Sequence, residues 1–334
     1  MGALLLLCLL IAASLGAVSV SALDIIKMTL NKLALSDFPA TWQPSDETIL
    51  FVIRLPRVIA GALVGAALAS AGVLFQGLLR NPMADPYIIG TSAGAAFGAT
   101  IAMMLPISFA FLSFGLVSIA AFIGALGAVF LVYNLARVGG KTPIVSMLLA
   151  GFAVSAMLTA VMFFVVTRGG RPELLQNAFV FLMGSVSGTE WTQIAVIAPL
   201  IIGGIVIARF LGFRLNALSL GEEGASYLGI NVERDKIIVL ALGSLLTAAA
   251  VSISGLIGFV GLVVPHAVRL VLGPDHRLLL PAAALFGGAF LVLADLFART
   301  VLAPSEIPIG ILTAIIGAPF FIYLLRRTRR EYAF

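Results

Sequence analysis

The chain has one cysteine, Cys8, and two histidines, His266 and His276, in 334 residues. A lone thiol excludes a disulfide framework and a thiolate cluster. The histidines stand ten positions apart, which is not ligand spacing on one helix face. A metal site or a Ser/His/Asp triad built by this chain alone is therefore not expected. Charge is scarce too, at 10% of residues. What fills the chain instead is apolar: 61% hydrophobic residues and 34 glycines, with a mean hydropathy of +1.16. These values lie far from those of soluble proteins. No stretch reads as a separate soluble unit, and the alternation of a membrane β-barrel is missing from the continuous Leu-, Ala- and Gly-rich runs.

A bilayer core about 30 Å thick needs roughly 20 apolar residues per helical span. Apolar runs predict spans near 3–23, 56–79, 87–106, 111–136, 144–167, 191–211, 237–253, 255–272, 279–300 and 308–325. The fold class is thus all-α: a polytopic membrane protein of about ten transmembrane helices, with 1–334 forming a single domain. The eighth span is short and interrupted by Pro265. The N-terminal "MGALLLLCLLIAASLGAVSVSA" ends in small residues, as a secretory signal does. It is also long enough to span and lacks a positively charged start, and is read as an uncleaved first helix.

Lysine and arginine set the orientation. With ten spans and the N-terminus inside, the cytoplasmic face receives Arg80, Arg137, Lys141, Arg209, Arg214, Arg234, Lys236, Arg269, Arg277 and the four arginines of "RRTRR", 13 in all. The outer face receives seven: Lys27, Lys32, Arg54, Arg57, Arg168, Arg171 and Arg299. Both termini are therefore read as cytoplasmic. The polar interval 209–236 becomes the longest cytoplasmic loop, and 24–55 and 168–190 become outer loops. The apolar piece inside 168–190 is too short to span and is read as a short interfacial helix. Small residues four apart, such as Gly61 and Gly65 or Gly90, Gly94 and Gly98, let helix backbones approach closely in lipid.

Ionisable residues inside a span are the usual mark of an ion-coupled pump. Here Asp295 is the only acid well inside a predicted span, with Arg299 one turn beyond as an i,i+4 partner. A local ion pair closing the outer end of that helix is the plain reading; a proton relay would need more acids. Uphill transport would then need energy from a partner. Arg54 and Arg57 in "RLPR" join Arg299 near the outer face. They either snorkel to the lipid boundary or form a rim that pairs with carboxylates of an external protein.

"RLPRVIAGALVGAALASAGVLFQGLLRNPMADPYIIGTSAGA" (54–95), "SLGEEGASYLGI" (219–230), "SGLIGFVGLVVPHAVRLVLGPDHRLLLPAAALFGGAFLVLADLFAR" (254–299) and "EIPIGILTAIIGAPFFIYLL" (306–325) together resemble the FecCD family of permeases. The resemblance runs nearly the whole chain, in order. It implies a type II ABC importer permease: a membrane subunit that imports vitamin B12, ferric siderophores or heme. The implied partners are a second permease copy in a homodimer, two cytoplasmic ATP-binding subunits, an external substrate-binding protein and membrane lipid, with no nucleic acid. ATP and Mg would be bound by the ATPase partner and no cofactor by this chain, which is not itself an enzyme. The expected location is the inner membrane of a prokaryote.

The same resemblance assigns site residues. The loop around 212–236 would be the coupling element: two short helices joined near glycine that dock on the ATPase. Leu220, Ala225, Tyr227 and Leu228 would supply apolar contacts, Glu222 and Glu223 polar ones, and Gly221 and Gly229 the turns. Arg54, Arg57 and Arg299 would dock the binding protein. Asn81 and Met83, with Ile144 and Val145, would lie at the cytoplasmic gate, although 144–145 are apolar where polar residues are expected. The favoured cargo is a ferric siderophore or another iron complex, with corrinoid or heme as alternatives. The rivals from other classes are a secondary transporter driven by an ion gradient and a membrane scaffold.

Overall fold

In the computed structural model, residues 1–16, 18–107, 110–111 and 114–329 are described, and most of them are helical. In chain order the helices are α1 (Gly2–Ser14), α2 (Ala22–Lys32), α3 (Pro44–Thr48), α4 (Leu55–Leu78), α5 (Thr91–Met104), α6 (Leu116–Ala136), α7 (Ile144–Arg168), α8 (Pro172–Met183), α9 (Trp191–Phe210), α10 (Gly212–Ser219), α11 (Glu222–Tyr227), α12 (Val232–Ser254), α13 (Val260–Leu272), α14 (His276–Thr300) and α15 (Ile309–Arg329). Among the described residues the only sheet is a two-stranded hairpin, β1 (Ala110–Phe111) with β2 (Phe114–Gly115). Arg330, the last arginine of "RRTRR", lies outside the described residues.

Six helical stretches are long and apolar enough to cross a membrane: the continuous Pro44–Leu78, α6, α7, α9, α12 and α14. Four shorter apolar helices, α1, α5, α13 and Ile309–Tyr323 of α15, occupy the other positions. The architecture is thus the expected polytopic all-α bundle, with corrections at particular segments. The span expected over 3–23 is not one helix: α1 ends at Ser14, and a separate helix, α2, begins at Ala22. The outer loop 24–55 is largely helical rather than open. The span expected over 111–136 begins as the hairpin and becomes helix only at Leu116. The eighth span is helical only over α13, because 255–258 run non-helically and Phe259 sits at φ +67° as its N-cap. The short helix expected in 168–190 is present as α8.

The α4 entrance shows how one residue reshapes a helix. Pro56 has no N–H and its ring crowds the preceding turn. The chain answers with a π-helical turn over Ile49–Arg54, in which the Leu55 N–H reaches back to the Leu50 carbonyl. The carbonyl next in line, on Phe51, would need the N–H that Pro56 lacks. Trp191 fills the gap: its Nε1–H donates to Phe51 O at 2.6 Å and so ties the start of α9 to this turn.

α4, α12 and α14 are buried along most of their length, whereas α6, α7 and α9 turn most of their surface outward. α4 can be central because its contact faces are nearly flat. A Cβ on Gly65 would overlap the Gly287 carbonyl and stand 2.8 Å from Leu291 Cβ, so α4 and α14 cross backbone to backbone. Gly94 and Gly98 meet Gly124 and Ala120 in the same way where α5 crosses α6. The small-residue spacing read from the sequence is therefore a packing device, as expected in lipid.

Candidate functional site

At the cytoplasmic end, on the orientation read from the basic residues, the polar interval folds as two short helices, α10 and α11. They are joined at Gly221, whose φ of +101° a side chain would resist. Ala217, Leu218 and Ala225 bury against each other, with Ile230 and Val232 packed alongside. Ala225 is wholly buried there, so it belongs to the interior of this knob and not to its contact face. Gly229, at φ +76°, ends α11, and the Asn231 side chain then caps α12 by accepting from the Arg234 N–H at 3.1 Å.

Polar ties fix the knob to the bundle. Arg214 Nη1 pairs with Asp235 Oδ1 at 2.8 Å, joining α10 to α12. Asn216 Nδ2 donates to Asp275 Oδ1 at 2.7 Å, and Asn216 Oδ1 accepts the His276 N–H at 2.9 Å, joining α10 to the start of α14. The Asn216 amide, helped by the Arg277 N–H, holds the Asp275 carboxyl below the usual carboxylate range. Glu222 pairs with Lys236 at 2.8 Å. What the knob presents outward is Leu220, Leu228 and above all Tyr227, which is 91% exposed, with Glu223 beside them.

Asn81, Met83, Ile144 and Val145 occupy two turns at this same end. Arg80, at φ +50°, closes α4, and Asn81 Oδ1 accepts the Met83 N–H at 2.9 Å. Asn81 is exposed and Met83 half-buried; Ile144, half-buried, and exposed Val145 open α7 after Pro143.

The three outer arginines are brought together, but not as an exposed rim. Arg54 is 5% exposed, and its guanidinium donates to the carbonyls of Ala13 and Ser14, at the end of α1, and of Val18 just beyond it. Arg57 pairs with Asp295 at 2.9 Å and forms a two-pronged bond to Glu306 at 2.8 and 2.9 Å. Arg299 reaches the Ala12 carbonyl and stands 3.6 Å from Asp295. They gather at the end of the bundle away from the knob, and they are buried where an exposed rim was expected. The i,i+4 pair of Asp295 and Arg299 exists, yet Arg57 is the closer partner. Glu306, which the sequence reading passed over, completes the cluster, and its bond to Arg57 holds its carboxyl below the usual range. Among the described residues, no group of three or more His, Cys, Asp or Glu could hold a metal ion.

A bundle of this kind, with charge gathered at its two ends and one rigid projection, is a multi-pass membrane protein of the transporter class. The sequence matches the FecCD transport family over residues 4–327, and the chain belongs to that family. It is 50% identical, over 84% of its length and 74% of the relative's, to the cobalamin import system permease protein BtuC of Halobacterium salinarum. It is 39% identical to the hemin transport system permease protein HmuU of Yersinia pestis, covering 98% and 95% of the two chains. A metal-chelate type ABC transporter solved in an inward-facing conformation superposes with a TM-score of 0.84 at 32% identity, covering 97% of each chain.

Proposed function

We propose that this chain is the permease subunit of a binding-protein-dependent, ATP-driven importer in a prokaryotic inner membrane, and that its cargo is a bulky metal chelate. The observation that carries the reading is the knob: firmly tied to α12 and α14, it nevertheless exposes Leu220, Tyr227 and Leu228. A rigid element with an apolar tip suits docking into a groove on a cytoplasmic ATPase, whose closure would shift the bundle between inward- and outward-open states. Two permease copies, two ATPase subunits and an external binding protein make up the assembly. Arg57 would exchange Glu306 for a carboxylate of the binding protein when that protein docks. The residues 81–83 and 144–145 are the proposed gate turns.

The ion-driven alternative is disfavoured by Asp295, whose side chain is 2% exposed and engaged by Arg57 and Arg299 rather than free to carry a proton. For the cargo, corrinoid and heme, supported by similarity to the cobalamin and hemin permeases, stand beside the ferric siderophore, which is favoured only as the more numerous class in the family. The test is reconstitution with the cognate ATPase subunit and binding protein, offering cobalamin, hemin and a ferric siderophore in turn. ATP-dependent uptake of one of them is expected, with Tyr227→Glu abolishing ATPase co-purification. Uptake that persists without ATP and collapses with the proton gradient would overturn the reading.

A further inference from the structure

Lys236 is the only lysine buried among the described residues, at 4% exposure, and it stands one turn into α12. Burying an ammonium is costly unless every donor is satisfied and the charge is paired. Its three donors are divided among three parts of the chain. Nζ bonds Glu222 Oε1 of α11 at 2.8 Å, Glu233 Oε1 of its own helix at 2.9 Å, and the Thr142 carbonyl at 3.3 Å. Glu233 then closes a ring: its Oε2 accepts from the Thr142 N–H at 2.9 Å and from the Thr142 hydroxyl at 2.7 Å.

Thr142 sits in the short connection between α6 and α7. That connection is itself a tight turn, with Val138 and Lys141 exchanging backbone bonds of 2.9 and 3.1 Å around Gly139 and Gly140. Both glycines have positive φ, +59° and +81°. Pro143 follows and α7 begins at Ile144. A surface groove lined by Lys141, Glu222, Glu223, Tyr227 and Glu233 opens beside the same cluster. One ammonium therefore bonds the knob, the base of α12 and the turn that starts α7. A lysine in this role acts as a compact charge with three independent donors, which the flat fork of arginine does not reproduce.

We propose that Lys236 is a positioning residue through which displacement of the α10–α11 knob is passed to the α6–α7 turn and so to the start of α7. The inference rests on the reading of the knob as the ATPase-docking element. Without the ammonium, Glu222 and Thr142 lose their common partner, and only the indirect path through Arg214–Asp235 and Glu233–Thr142 remains, so α7 follows the knob less closely.

The experiment uses the whole transporter, permease with its ATPase subunits and binding protein, in proteoliposomes. Lys236→Met and the milder Glu222→Gln, at a half-exposed position that a folding defect does not threaten, are compared with the parent. ATP hydrolysed per cargo imported is expected to rise, by about tenfold or more for Lys236→Met and less for Glu222→Gln. In a Cys8→Ser background, spin labels at Ser219→Cys, exposed on α10, and Val145→Cys should both shift on ATP binding in the parent. With Lys236→Met, the knob label should shift as in the parent and the Val145 label by less than half as far. An unchanged stoichiometry in both variants, or a Val145 label that moves as far as in the parent, overturns the proposal. So does a parallel loss of assembly, hydrolysis and uptake in both variants, which would leave Lys236 a purely structural role. A parent that shows no ATP-driven uptake fails at the earlier step, the assignment of the knob, and is told apart by that.

Discussion

Asp295→Asn and Glu306→Gln each remove one negative charge from the outer cluster, and the structure expects very different costs. Asp295 has a side chain 2% exposed, with Arg57 at 2.9 Å and Arg299 at 3.6 Å. Neutralising it leaves two mostly buried guanidinium groups facing each other without their common counter-ion. Breaking a buried pair from one side costs about 3–5 kcal/mol. Glu306 has a side chain 44% exposed, and a pair with that much solvent contributes at most about 1 kcal/mol. Apparent melting points move by roughly 2–4 °C per kcal/mol in chains of about 150–250 residues. Asp295→Asn should thus lower thermal stability by on the order of 10 °C, and Glu306→Gln by no more than a few degrees.

The functional consequence runs the other way. Glu306 occupies both prongs of the Arg57 fork, at 2.8 and 2.9 Å. On the proposed docking at Arg57, a carboxylate of the external binding protein would displace it. Glu306→Gln keeps the shape and weakens the hold, so binding-protein affinity should rise by up to about fivefold, the equivalent of 1 kcal/mol. Thermal unfolding in detergent followed by size-exclusion chromatography reads the first effect. Surface-immobilised permease titrated with its binding protein reads the second. Equal melting points for the parent and Asp295→Asn would refute the buried ion pair, and weaker docking by Glu306→Gln would refute the exchange.

Other perturbations separate packing from charge. Gly65→Ala puts a methyl group onto the Gly287 carbonyl and Leu291, and α4 and α14 must move apart. A loss of about 1–3 kcal/mol is expected, whereas Gly127→Ala on the exposed face of α6, where a Cβ meets nothing within 4 Å, should be neutral or mildly stabilising; the same melting assay ranks them. The Glu306 carboxyl, lowered by its bond to Arg57 from an ordinary 4.5, predicts a pH signature. Its contribution is fully present above 4.5, because the carboxylate is charged in both folded and unfolded chains. It is lost progressively as the pH falls from 4.5 through the lower folded value. The melting-point gap between the parent and Glu306→Gln should stay constant from pH 7 to about 5 and close at lower pH.

The parts of this fold that were legible in the sequence are those governed by local pattern. α7 and α9 begin and end within a residue or so of their apolar runs, because a turn, a glycine or a charge bounds each run. Segments set by a single backbone constraint were not. The π turn ahead of Pro56 extends a helix back to Pro44 through residues that read as loop, and the left-handed Phe259 delays α13 by several residues. The knob's two helices and its glycine hinge followed from the family motif. That Ala225 faces inward follows from its packing with Ala217 and Leu218, which a six-residue helix does not advertise. The outer arginines were singled out correctly as a set but read as exposed, because Arg at a span end ordinarily reaches water. Local spacing named only the Asp295–Arg299 pair; the other partners lie at Ala12 to Val18 and, for Arg57, at Asp295 and Glu306, up to 287 positions away.

Charge at the two ends of the bundle is organised alike. At one end, Arg57 joins α4 to α14 and to the segment before α15; at the other, Lys236 joins α12 to the knob and to the α6–α7 turn. In each cluster a buried cation is held by one buried or partly buried carboxylate and one exposed carboxylate, Asp295 with Glu306 and Glu233 with Glu222. In each the inner carboxylate neutralises the cation; exposed Glu306 can be exchanged for a partner's carboxylate at little cost, since pairs open to water contribute so little, whereas Glu222 stays on Lys236 and ties the knob to it. A bundle built this way need not move protons through itself to do work. On the proposed reading, a binding protein that displaces Glu306 at one end and an ATPase that moves the knob at the other would together bias the helices between two arrangements.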